Sequence, residues 1–162
     1  MKARFALLSI AFAAVSSLAA EAPARESPLF GRWTLDVATL PMPAAARPKQ
    51  VTLSFKRADE DKVTTQVEII DQADHVMDAQ STVALDGTPA PVTGTYQVDV
   101  VSAKMPEPDV LIMQFVYEGI PRSTRVYSVS ADGKTLTETE AYFRDGKPVL
   151  RTARFARIAD AR

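Results

Sequence analysis

The chain has no cysteine, one histidine and one tryptophan among its 162 residues. Without cysteine there is no disulfide staple, no zinc–thiolate site and no thiol nucleophile, so a core and a backbone ladder must carry the stability. His75, the lone imidazole, stands beside Asp74 in a polar stretch. It gives a catalytic triad a single base and a metal site no second imidazole, and it reads as an exposed loop residue. The acids Asp59-Glu60-Asp61 and Asp71 with Asp74 match no calcium-loop spacing and read as solvated strand ends. No catalytic residue, metal ligand or cofactor is therefore expected, and an enzyme working through acids and tyrosines alone is the least favoured class. Charge of one sign is lacking too: 19 basic and 20 acidic residues leave −1. That balance provides no electrostatic footprint for nucleic acid or for an anionic membrane surface.

Long apolar runs are absent, except at the start. Lys2 and Arg4 precede Phe5–Val15, which is apolar apart from Ser9, and Ser16-Ser17-Leu18-Ala19-Ala20 supplies small residues. This order predicts a secretory signal over 1–19, cleaved after Ala19, and hence an exported protein, periplasmic or secreted. The competing reading is a buried N-terminal helix. The run is shorter than the roughly 20 residues of a membrane span. No cysteine follows it to carry a lipid anchor. Cleavage would remove Lys2 and Arg4 and leave 17 basic against 20 acidic residues, a net charge of −3. About 140 residues then remain, enough for one domain with its own core.

Residues 20–28 read as a flexible tail, and 29–158 as one all-β domain. Apolar residues alternate along 30–37, with Trp33, Leu35 and Val37 on one face. Further strands are expected at 50–57, 62–71, 76–86, 96–103, 109–118, 122–130, 134–143 and 148–158. The loop 38–49 carries three prolines and has room for a short helical turn at Ala44–Ala46. Thr88–Gly94 reads as a crossover. Asp86-Gly87, Asp132-Gly133 and Asp145-Gly146 sit where hairpins need positive φ. About eight or nine sequential antiparallel strands predict an up-and-down barrel, because closure removes exposed edges. An outer-membrane barrel would need an outward apolar band with aromatic girdles. Strand 134–143 instead carries threonines on one face and glutamates on the other.

The motifs Phe30-Gly31-Arg32-Trp33-Thr34-Leu35, Pro48-Lys49, Asp86-Gly87-Thr88, Pro91-Val92-Thr93-Gly94 and Ser130 to Thr137 appear in a set order. In that order the chain resembles small secreted bacterial lipocalin-like (calycin) barrels of unknown function. The resemblance implies that Gly31 and Trp33 close the barrel floor. It also implies that a basic residue of the last strand, Arg154 or Arg157, lies across the indole. The lipocalin C-terminal helix is missing from this sequence.

Two-residue loops at both late Asp-Gly pairs would align Val129, Leu136 and Phe155, then Tyr127, Glu138 and Ala153, then Arg125, Glu140 and Arg151, with Tyr142 and Val149 beyond. This is the more apolar face and so the expected interior. Arg125, Tyr127, Glu138, Glu140, Tyr142 and Arg151 are thus the candidate ligand-binding residues. Arginine and tyrosine would hold an anionic head group while apolar walls hold its tail. The alternative is an outward ladder of surface ion pairs. Two function classes follow. One is a non-enzymatic carrier of a small molecule, apolar or amphipathic, the amphipathic option including an anionic head group. The other is an envelope interaction module whose barrel is filled by side chains. The run Val110–Tyr117, apolar on both faces, is where a homodimer would form.

Overall fold

Alternating apolar and polar residues build eleven antiparallel strands: β1 (Gly31–Leu35), β2 (Gln50–Asp59), β3 (Lys62–Ile70), β4 (Val76–Ala84), β5 (Ala90–Pro91), β6 (Thr93–Gly94), β7 (Val100–Glu107), β8 (Val110–Tyr117), β9 (Ile120–Val129), β10 (Thr135–Arg144) and β11 (Lys147–Ile158). They come from a computed structural model that describes residues 26–159. The expected signal segment 1–19 and residues 20–25 lie outside that range. Of the expected tail, Ser27 is buried and its hydroxyl donates to the Pro108 carbonyl.

The sheet runs β5-β7-β8-β9-β10-β11-β1-β2-β3-β4-β6 and curls into a nearly closed barrel. Eight or nine strands were expected from the sequence. Nine long strands lie close to the expected positions, and the other two are two-residue strands within the Thr88–Gly94 crossover. Pro89 and Pro91 have no N–H to donate, which keeps pairing there short. Two further boundaries differ. Residues 96–99 stay outside the ladder, so β7 begins at Val100 and continues past a bulge between Lys104 and Glu107. The β8–β9 turn is Glu118-Gly119, with φ of 51° and 74°, the left-handed pair that a two-residue hairpin requires. Asp86-Gly87 makes no hairpin; Asp86 bridges to Lys104 and the chain turns into the crossover.

The registers define two ends. The floor holds residues 26–30, the β2–β3 and β7–β8 turns and the loop 130–134. The mouth holds the β3–β4 loop, residues 95–99, and the turns 118–119 and 145–146. The long loop 36–49 also lies at the mouth. It folds into two 3₁₀ turns, Val37–Thr39 and Ala44–Ala46, and buries Leu40. The core fills the lower barrel with Leu29, Trp33, Val63, Val83, Leu111 and Leu136, each fully buried. Outward positions of β10 and β11 carry Thr135, Thr137, Thr139, Thr152 and Arg154, the reverse of a membrane barrel's apolar exterior. No helix among the described residues is long and apolar enough to cross a membrane.

Candidate functional site

The floor is built around one cation. Trp33 is fully buried, and its indole Nε1 donates to the Leu29 carbonyl at 3.0 Å. The Arg157 guanidinium stacks 4.1 Å from the indole centroid. Its nitrogens donate to the carbonyls of Gly133 (2.6 Å), Phe30 (2.9 Å) and Pro28. One planar fork thereby ties the entering chain, the β9–β10 loop and the tryptophan together. Gly31 lies beneath it, where a Cβ would stand 2.6 Å from Arg157 Nη1. Arg154 points outward and is exposed. Alternation from Phe155, which faces the core, assigns Arg157 to the inner face and Arg154 to the outer.

Above the apolar core lies a charged layer. The registers align Tyr127, Glu138 and Ala153, then Arg125, Glu140 and Arg151, with Tyr142 opposite Val149. Asp145-Gly146 closes a two-residue loop, and the Ser130 N–H to Thr135 carbonyl bond brackets the other turn while keeping the same register. Glu138 and Glu140 are 5% and 6% exposed, so this face is the interior. Arg125 reaches Glu140 at 3.1 Å and Glu138 at 3.6 Å, and Arg151 reaches Glu140 at 2.6 Å. Arg125 also lies 4.9 Å over the Phe115 ring. Burial opposes the charge on Arg125, but Tyr127, Glu138 and Glu140 outweigh it and hold the guanidinium well above its ordinary value. Burial, reinforced by Glu138, pushes the Tyr127 phenol well above its usual range. Arg151 Nε is buried without a hydrogen-bond partner among the described residues.

Two spaces adjoin this layer. Inside, Phe55, Val67, Val101, Met113, Phe115 and Tyr127 help enclose a void of only about 40 Å³. That is far below the roughly 300–1,000 Å³ of a small-molecule pocket. At the mouth an open cleft of about 720 Å³ has Arg125, Glu140 and Tyr142 in its wall. Tyr127 and Glu138 sit beneath it, and Arg151 flanks it, 5.9 Å from the Tyr142 ring. Arg122 and Arg144 also line the cleft, although the sequence did not single them out. Both are exposed, and each lies over a tyrosine: Arg122 at 5.9 Å from Tyr117 and Arg144 at 5.5 Å from Tyr142. The exposed Met77, Ile120 and Phe143 form apolar lips on the same cleft. Arg144 shares the inward parity of Glu138 and Glu140, whereas Arg122 falls at the β9 irregularity between Pro121 and Ser123; nearness to a mouth turn was the signal common to all of them.

A nearly closed antiparallel barrel with a packed floor and a polar-lined mouth defines the class: an all-β, calycin-like barrel. No protein-family model matches the chain, and no curated protein does. Among solved structures it is similar to the crystal structure of a mutant of the fluorescent protein UnaG, with TM-score 0.52 and 14% identity, covering 82% of this chain and 98% of that one. At that identity the likeness shows the fold.

Proposed function

We propose that the protein is an exported, non-enzymatic barrel that binds a small amphipathic anion at its mouth. The observation that carries this reading is the 720 Å³ cleft, where three arginines meet apolar lips in one concavity. Arg122 and Arg144 offer exposed positive charge to an arriving anion. Arg125 and Arg151 contribute a guanidinium layer behind it, held in position by Glu140, with Arg151 Nε–H as a buried donor free to donate to a ligand oxygen. Charge-assisted bonds from a planar guanidinium suit carboxylate, sulfonate or phosphate. Met77, Ile120 and Phe143 suit the apolar part. Export rests on the basic, apolar and small-residue order of residues 2–20.

The test is calorimetric titration with dodecanoate and with dodecanol. Arg122→Met with Arg144→Met should weaken dodecanoate binding by about tenfold, or about 1.4 kcal/mol, and spare dodecanol. These side chains are exposed, so the double variant keeps its fold. Equal loss for both probes would remove charge recognition from the reading.

One observation favours a second reading. The enclosed void, about 40 Å³, is too small for a ligand, and a filled barrel would act through its surface. The outward face of β8, with Val110, Ile112 and Val116 half-buried, is then the surface for a second copy or another partner.

A further inference from the structure

Around most of the barrel each long strand pairs with the next along a continuous ladder. Between β4 and β7 there is no such ladder. Near the floor the two sides meet at the isolated bridge from Asp86 to Lys104. Above it the seam is covered by the strap Thr88–Val98, which pairs by two residues with β7 and by two with β4. The strap's other ties to the barrel wall all run to β4: Thr95 Oγ1 accepts from the Asp78 N–H at 3.1 Å and donates to Asp78 Oδ1 at 3.2 Å, and Thr93 Oγ1 donates to the Gln80 carbonyl at 3.4 Å. Ser81 Oγ donates to the Pro91 carbonyl at 2.8 Å, and the Thr95 and Tyr96 N–H groups share the Asp78 carbonyl at 2.8 and 2.9 Å. Pro89 and Pro91 can add no backbone donor. At Gly94, φ is 129° and a Cβ would stand 2.8 Å from Ala79 Cα, so the strap lies flat against β4.

The inner side of this strap fills the barrel. Val92 packs on the core, Val98 is buried, and Tyr96 with Val98 borders both the small void and the mouth cleft. These two side chains form the strap's share of the partition between the spaces, and Phe115 and Arg125 from β8 and β9 complete it. Behind it the void is walled mainly by apolar side chains, with Arg125 at its edge.

We infer that Thr88–Val98 is a movable plug, and that the barrel interior behind it is a second compartment that receives the apolar tail of the ligand. The inference rests on the reading of the mouth as the head-group site. Displacing Tyr96 and Val98 joins the void to the cleft while Arg125 stays at the junction, so the head group remains at the charged layer and the tail passes below it. Opening breaks a handful of bonds and leaves every long ladder intact, which places the strap among the low-stability units of the fold.

The absence of cysteine makes the test clean. Gln80 and Thr93 are register partners on β4 and β6, and both are exposed. Adjacent antiparallel partners have a Cα separation compatible with a disulfide. Gln80→Cys with Thr93→Cys, oxidised, should lock the strap; reduced, it should behave as the wild type. Dodecanoate is expected to bind the wild-type and reduced proteins at least about tenfold more tightly than hexanoate, through its added methylenes. Oxidation should remove that advantage and leave hexanoate affinity unchanged. Undiminished dodecanoate binding to the oxidised protein overturns the plug. Equal affinity for both chain lengths in the wild type overturns the tail compartment and leaves the mouth reading standing. If neither anion binds the wild type, the mouth reading falls and takes the tail compartment with it.

Amide hydrogen exchange reads the plug independently of any ligand. The Val92, Thr95, Tyr96 and Val98 amides should exchange faster than those of β2 and β3, and should slow on oxidation. Exchange as slow as the ladder overturns the plug. Should the double variant fail to fold, Tyr96→Ala, which removes part of the partition, should raise dodecanoate affinity about tenfold. Unchanged affinity there overturns the proposal.

Discussion

At the scale of the residue, Trp33 and Arg157 act as one unit. Truncating the buried indole leaves a cavity, and Trp33→Ala should lower stability by about 3–5 kcal/mol in a denaturant titration. Arg157→Met strands three carbonyl acceptors and the indole face and should lower it by about 2 kcal/mol. Arg154→Met, on the solvent side, should stay within about 0.5 kcal/mol of wild type. Tyr127 reports on the charged layer. Its folded pKa is raised by burial and by Glu138, so its contribution is complete below the unfolded value of about 10 and fades as pH rises through the folded value. A phenol should therefore ionise only as the fold is lost in alkali, and Tyr127→Phe should abolish that absorbance step. Trp33 was legible from its early Gly-x-Trp setting. Arg157 was legible in principle, because it shares the parity of Phe155, but the choice against Arg154 needed the floor carbonyls that it grips.

At the scale of the element, the β9–β10–β11 sheet is where local chemistry decided most. Asp145-Gly146, with φ of 51° and 72°, fixes the β10–β11 register, and a one-residue slip would move Glu138 and Glu140 to the outer face. Gly146→Ala meets open space around its Cβ but must hold a positive φ. It should cost about 1 kcal/mol in thermal unfolding and leave the β10–β11 register unchanged. The turn expected at 119–121 lies instead at Glu118-Gly119, because glutamate is an unusual first residue for a positive-φ pair. The strand expected at 96–103 begins four residues late, at Val100, because alternation alone cannot tell a ladder residue from one that covers a seam. β8 has Leu111 and Met113 in the core and Ile112 half-exposed outside. Ile112→Lys should leave a folded protein. Sedimentation should show loss of any dimer that uses this face.

At the scale of the molecule, the interior is layered: an apolar floor, an ion-paired belt, then an open mouth. Truncating one buried partner leaves an uncompensated charge. Arg125→Met should accordingly destabilise the fold by about 3 kcal/mol or more in urea titration, and Glu140→Gln should disturb both arginines together.

Composition and alternation by themselves determined an all-β chain without thiol chemistry, and they placed nine long strands, because period-two burial and Asp-Gly turns are local properties. They also brought Arg125, Glu140 and Arg151 to one level, because antiparallel register follows from turn length. Only the tertiary structure decided how full the barrel is. Filling depends on whether Val92, Tyr96 and Val98, remote in sequence from β9 and β10, fold back into the lumen, and on the curl that brings Met77 across from Phe143. Those are long-range packing outcomes with no periodicity to announce them.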